Sequence, residues 1–460
     1  MADDGQDFKK LLRRRLPQYI AAISACMGGF SLGCAIGWSA PCVELLKSDH
    51  SYEPSETSLI ASALPLGAAM GMIVVPFLID RIGRKWTMMS LAPVFVTGWI
   101  VIVAAIHVLA LVIIGRLITG ACGGMFCVAA PIYSAEISEK EIRGTLGVFF
   151  QLLLVIGVMY GFCCGFSGNV ITISVLCGVG PIIFLVMMFF MPESPLFYLA
   201  KEKEESAMKS MRFFRGPNVD IGPEIEAFKE QVRESKRQQV TITTFLEKPV
   251  LKTLGVAIGL MFAQQFSGIN AIIFFGETIF KQTGVDMDTT LQMVIFAVVQ
   301  VIACLASAVL IDQLGRKFLM IMSSGAMCLC LISLGIFFIL KTSDPETADS
   351  IQWLPLTSTC LYILAFCLGA GPVPWAYMGE IFPTRLKGVA SSIAAFVNWT
   401  LAFIVTESFS SLVDTLGTAA IFFIFAVFCF LSVIFVIVFM IETKGKTLAQ
   451  IQTEFGTIEQ

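Results

Sequence analysis

Long apolar runs, broken at intervals by short polar segments, dominate the chain. A helix needs about 20 mostly apolar residues to cross a bilayer. Such runs cover 19–38, 58–79, 86–106, 110–132, 145–166, 170–191, 250–275, 291–311, 318–340, 354–378, 389–410 and 418–441. The pattern predicts an all-α membrane protein with twelve transmembrane helices. A charged stretch at 192–249 parts them into two sets of six. The organisation expected is a tail at 1–18, a six-helix bundle at 19–191, a linker at 192–249, a second bundle at 250–441 and a tail at 442–460. Ile225–Gln239 has helical spacing with opposite charges at i,i+4, so the linker is read as solvated helix docked beneath the bundle.

Charge placement orients these helices. If the N-terminus is cytosolic and the helices alternate, 27 of the 31 Lys and Arg fall on the cytosolic side. The positive-inside rule therefore puts both termini in the cytosol, and a multi-pass plasma-membrane protein is expected. Only 14% of the 460 residues are charged, against about 25% in a soluble domain. The net charge of −3 leaves no nucleic-acid footprint. The 14 cysteines form no CxxC and mostly sit in apolar runs, where they read as small hydrophobes. His50 and His107 are far apart in sequence, so no metal site is expected. GKT at 445–447 lacks the glycine a P-loop requires. No catalytic constellation, cofactor or obligate protein partner is indicated; membrane lipid and a small molecule are the partners expected.

The two halves echo each other. DRIGRK at 80–85 recurs as DQLGRK at 312–317, and YSAEI at 133–137 as YMGEI at 377–381. PESP at 192–195 has a weaker partner in IETKG at 441–445. All copies fall on the cytosolic face. Parallel repeats of six spans mark a two-bundle transporter. Asp80, Arg81, Arg84, Glu136, Arg143 and Glu193 then form a candidate gating cluster, repeated by Asp312, Arg316, Glu380, Arg385 and Glu442. Latched, these groups would close the cytosolic side; the plainer alternative is topology anchoring by basic residues.

Residues 262–270 read FAQQFSGIN, and amides are costly in hydrocarbon. On a straight helix Gln265 and Asn270 point about 140° apart, so one of them would face lipid. A break at Gly268 would let both converge on a central cavity; interhelical glue is the competing reading. Gln151, Gln300, Trp375 and Asn398 lie at similar depth in other spans. Neutral amides match the paired hydroxyls of a sugar, because each donates and accepts.

The chain resembles the sugar porter family of the major facilitator superfamily. The motifs are DRIGRK, GRLITGACGG with PIYSAEI, PESP, QQFSGIN, GPVPW with GEIFPTR, and ETKGKTL. FSLGCAIGWSAP and PESPLFYL are most similar to the insect facilitated trehalose transporter branch. The resemblance implies a major facilitator fold with substrate contacts at Gln151, Gln264, Gln265, Asn270, Gln300, Trp375 and Asn398. It also implies alternating-access transport of a sugar, trehalose or glucose. Proton-linked members carry an acid on the first helix opposite the arginine of the fourth. Here Arg116 is present, but 19–38 holds no Asp or Glu. Facilitated diffusion is therefore expected, with a proton symporter and a non-transporting sugar sensor as alternatives. Glu407 is expected to reach interfacial water. Pro76, Gln313, Leu196 and Ile441 depart from the family motifs and imply a weaker latch. Cys367, Phe274 and Phe275 make the implied cavity less polar than in glucose transporters.

Overall fold

The computed structural model of the chain describes residues 2–217, 219–237, 247–382 and 386–455. Arg385 lies outside the described residues, as does the side chain of Asp312. Twelve described helices are long and apolar enough to cross a membrane. In order, spans 1–6 are Arg14–Asp49, Pro54–Ile82, Arg84–Ala104, Leu109–Ile137, Arg143–Ser167 and Val170–Phe189. Spans 7–12 are Val250–Thr283, Thr289–Ile311, Arg316–Ser343, Trp353–Ile381, Lys387–Leu416 and Thr418–Phe439. Spans 1–6 pack as one bundle and spans 7–12 as the other. Both ends of the described chain share one face with the 2–3, 4–5, 6–7, 8–9 and 10–11 connections, here termed the basic face. The remaining connections make up the far face.

Most spans begin and end within a few residues of the apolar runs. Spans 1 and 7 run farthest past their expected ends. Span 1 continues past residue 38 as the helix Ser39–Asp49, because Trp38 keeps helical torsions (φ −56°, ψ −31°). Pro41 is tolerated there, since it lies in the first turn of that helix. Span 7 runs on to Thr283, in two pieces.

The first bundle holds together through close backbone approach. Gly33 and Gly37 of span 1 lie against span 5, which answers with Gly157 and Gly161. Gly67 and Gly71 of span 2 sit against span 4, which answers with Gly120 and Gly124. A Cβ at Gly33 would lie 2.0 Å from the Leu154 carbonyl oxygen, and one at Gly120 2.1 Å from that of Leu64. Lipid is as apolar as a leucine side chain, so spanning helices associate through tight contact of this kind rather than through the hydrophobic effect.

Between the bundles run the helices Pro195–Ala200, Glu204–Arg215 and Gly222–Arg237. They dock on the basic face of the first bundle. Arg215 is fully buried, pairing with Glu224 at 2.6 Å and donating to the Ile137 carbonyl at 2.7 Å. Gln18 ties span 1 to the same layer through the Phe214 carbonyl at 3.0 Å.

Candidate substrate site and gates

Span 7 breaks where the amides are. One helix ends at Gln265 and the next starts at Ile269, with Gly268 left-handed at φ +88°. Ser267 donates to the Gln264 carbonyl (2.6 Å), and Tyr362 donates to the Ser267 carbonyl (2.9 Å), so the turn is pinned by span 10. Span 10 has its own break at 369–371, between Trp353–Leu368 and Pro372–Ile381. The freed Ala370 amide donates to Ser323 Oγ at 2.9 Å.

The two breaks meet at Gln264. Its Nε2 donates to the carbonyls of Ala370 and Gly371, both at 2.8 Å. Its Oε1 accepts from Asn398 Nδ2 at 2.8 Å. Gln265 Nε2 donates to Asn398 Oδ1 at 3.0 Å, and Gln265 Oε1 accepts from Asn270 Nδ2 at 2.5 Å. Four amides from spans 7 and 11 thus form one chain. Their spare capacity is unequal. A primary amide has two donors and two acceptor sites. Gln264 and Asn398 spend both donors, the second of Asn398 going to Met261 Sδ at 3.2 Å. Gln265 keeps one N–H. Asn270, which is only partly buried, keeps one N–H and its whole oxygen. Gln264 and Asn398 are therefore built as supports, while Gln265 and Asn270 can still bond a ligand.

The other expected contacts stand apart from this chain. Gln300 is buried, and its Oε1 has no partner among the described residues. Gln151 and Trp375 are exposed and form no hydrogen bond with a described residue. An apolar recess of about 610 Å³ opens elsewhere, among spans 8, 9 and 10. Phe318, Met322 and Leu361 line it and are half exposed, so it faces hydrocarbon rather than the amides.

On the basic face the sequence repeat becomes a structural one. Glu193 accepts from the backbone N–H of Arg84 and Lys85 at 3.1 and 3.0 Å, capping span 3. Glu442 accepts from those of Arg316 and Lys317, both at 3.0 Å, capping span 9. A carboxylate at a helix N-terminus meets unpaired N–H groups and a favourable dipole. The motif glycines make room for it. Gly83 (φ +99°) and Gly315 (φ +91°) are left-handed, and a Cβ there would sit 2.3 and 2.8 Å from Oε2 of Glu193 and Glu442. Arg84 pairs with Glu136 at 2.9 Å, and Arg316 with Glu380 at 2.8 Å. Ser194 Oγ and Thr443 Oγ1 donate to the free oxygens of Glu136 and Glu380. Burial, its largest influence, holds the Glu193 carboxyl above the ordinary range. Burial acts the same way at Glu442 but is outweighed by backbone N–H donors, so that carboxyl lies below it.

The clusters are smaller than the sequence suggests. The ion pair of each joins two spans of one bundle. Asp80, Arg81 and Arg143 are exposed and form no ion pair with a described residue. The chain places them on the solvent side of the helix ends, while Arg84 turns inward to Glu136. Every hydrogen bond between described residues of the two bundles lies near the far face. Ser62 Oγ donates to Glu407 Oε2 at 2.5 Å, and Ser58 Oγ to the Glu407 carbonyl at 3.1 Å. Lys281 and Thr278 bond Glu44 at 2.5 and 3.0 Å. Glu407, which stays partly exposed, thus grips span 2. The bundles are shut together at the far face.

Arg116 is fully buried. It donates to the Ala35 carbonyl (2.6 Å), the Ile60 carbonyl (3.3 Å) and Ser39 Oγ (2.5 Å), and lies 4.7 Å from the Trp38 ring centre. It forms no ion pair with a described carboxylate. Glu44, on the extension of span 1, is engaged with Lys281.

The profile of the sugar (and other) transporter family matches residues 20–455. The chain belongs to that family. Its members are transporters and not enzymes. A facilitated trehalose transporter of Drosophila mojavensis is 36% identical over 442 residues, which is 95% of this chain and 51% of the relative. One of Culex quinquefasciatus is 35% identical over 444 residues, covering 95% of this chain and 85% of the relative. The chain thus spans about half the length of some of these relatives. Among solved structures, a major facilitator proton:xylose symporter bound to 6-bromo-6-deoxy-D-glucose superposes with a TM-score of 0.76 at 23% identity, over 95% of this chain and 99% of that one. The inward-open xylose transporter of E. coli gives 0.78 at 22% identity, over 94% and 98%. The fold is that of the major facilitator superfamily.

Proposed function

We propose that the protein is a facilitative uniporter for a neutral sugar, trehalose or glucose, working by alternating access in the plasma membrane with both termini cytosolic. The observation that carries this reading is the amide chain at the broken span 7. It offers uncharged donors and acceptors on Gln265 and Asn270, already oriented by Gln264 and Asn398. Polyols suit such groups, whereas an ionic substrate would call for an opposite charge. The similarity to facilitated trehalose transporters supports the substrate class. With the basic face cytosolic, closure of the far face makes this the state closed to the outside, with substrate exchange on the cytosolic side. Gln300, Gln151 and Trp375 are proposed to join the site when the bundles rock.

Arg116 favours uniport over the symport alternative. In a coupled site a titratable acid would share that arginine, yet its donors go to carbonyls and a serine. The test is uptake of labelled trehalose and glucose into liposomes carrying the purified protein, with external pH followed in parallel. Flux down the sugar gradient without alkalinisation supports the reading. Sugar-driven proton uptake establishes the symporter, and absence of flux for any sugar leaves the sensor. Gln265→Ala is expected to abolish flux.

A further inference from the structure

Glu277 lies in the outer half of span 7, on the helix Ile269–Thr283, and is only 9% exposed. Its Oε1 accepts from Thr289 Oγ1 at 3.1 Å and from Thr290 Oγ1 at 3.0 Å. Its Oε2 is buried and meets no hydrogen-bond donor among the described residues. A carboxylate has about four acceptor sites, so half of this one is unserved.

The surroundings supply no ion-pair partner among the described residues. The facing helix Ser39–Asp49 of span 1 presents Cys42 and Glu44, and the start of span 8 presents Asp288. Spans 10 and 11, also packed against this helix, carry Tyr362, bonded to Ser267, and Glu407, bonded to Ser62. Asp414 of span 11 lies nearer Lys47. Lys281, one turn on, is the nearby cation that feels Glu277, but it is held 2.5 Å from Glu44. No described cation lies within ion-pair distance of Glu277. A buried charge without a partner is expensive, and such a group neutralises instead.

This site sits on a seam that moves. Ile269–Thr283 and Ser39–Asp49 belong to opposite bundles and are clasped at the far face by Glu44 and Lys281. Parting them would admit water to Oε2. We infer that Glu277 takes up one proton as the far face closes and returns it as that face opens. One O–H bond forms at Oε2 as one breaks in a hydronium ion of the far-face solution, and the reverse occurs on opening. The proton goes back to the solution it came from, so none is carried across. This rests on the alternating-access reading and adds to it a closure that far-face pH controls.

The test uses full-length protein in lipid nanodiscs without sugar. Spin labels on non-natural residues at Ser55 and Thr415 report the distance across the far face between pH 5 and 9. Above its midpoint, the open-to-closed ratio of the wild type is expected to rise about tenfold per pH unit, as release of one proton requires. Glu277→Gln, which stays neutral, is expected to remain closed at every pH. A wild-type distribution that ignores pH, or a Glu277→Gln protein that keeps the wild-type dependence, overturns the inference. If Glu277→Gln does not fold, Thr290→Val decides: loss of one donor to Oε1 displaces the midpoint, and an unmoved midpoint overturns the inference. Failure of sugar flux would instead strike the transport reading, because these distances need no flux.

Discussion

Replacing Gly268 by alanine is the most informative small change to the substrate site. Its left-handed backbone (φ +88°) costs a non-glycine residue about 1–2 kcal/mol. The new methyl would also stand 2.5, 2.8 and 2.9 Å from three ring atoms of Phe425. Overpacking of that order adds about 1–3 kcal/mol. Together the turn would lose roughly 2–5 kcal/mol relative to a continuous helix. Straightening would swing Asn270 about 140° away from Gln265 and break their bond. Gly268→Ala should therefore lower the unfolding temperature and remove most sugar flux in proteoliposomes. Gly255→Ala, in the same span, is the control. Nothing lies within 4 Å of a Cβ there, so flux is unchanged and stability is equal or slightly higher. A Gly268→Ala protein with normal flux and normal unfolding would refute the claim that the break positions the amides.

Other substitutions separate supports from ligands. Asn398→Ala strands the buried Gln264 Oε1 and Gln265 Nε2, at about 1–3 kcal/mol each, and should lower the unfolding temperature as well as flux. Asn270→Ala removes one bond of a half-buried group and should leave thermal stability nearly unchanged while raising the sugar KM or abolishing uptake. At the far face, Lys281→Met breaks a pair with an exposed lysine and a mostly buried glutamate. Worth up to about 1 kcal/mol, its loss should shift the spin-label populations toward the open form by up to about fivefold. The two basic-face caps should differ in pH dependence. The raised Glu193 favours the folded state below the ordinary carboxylate value of 4.5, and that contribution fades as pH rises through its folded value. The lowered Glu442 contributes above 4.5 and is lost as pH falls through its folded value. Thermal scans of Glu193→Gln and Glu442→Gln across pH 3–7 should each lose one of these opposite slopes.

Much of this architecture was legible in the chain because lipid leaves few choices. Twelve apolar runs and their basic flanks suffice for spans and repeat, since an unpaired backbone cannot cross hydrocarbon. The break at Gly268 was readable because amides on a straight helix would have faced lipid. The partners of those amides were not. Ala370 and Gly371 contribute only carbonyls, and a carbonyl freed by a second helix break carries no side-chain signal; the GAG at 369–371 was the available clue. The extension of span 1 to Asp49 is not legible because Pro41 and Glu44 look like a helix end, although Pro41 is buried and Glu44 bonds Lys281 of the second bundle. Glycines four residues apart at 33/37, 67/71, 120/124 and 157/161 stand openly in the sequence, and the first bundle's close packing follows from them. The latch was half legible. Recurrence of DRIGRK and YSAEI locates the Arg84–Glu136 and Arg316–Glu380 pairs, but a repeat cannot say whether each pair closes within a bundle or between two.

The most direct measurement is a structure of the purified protein determined with trehalose or glucose bound. Sugar hydroxyls should lie within hydrogen-bond reach of Gln265 and Asn270, with span 7 still broken at Gly268 and Gln264 and Asn398 still supporting them. Sugar density elsewhere, with all four amides bonded only to one another, would contradict the account.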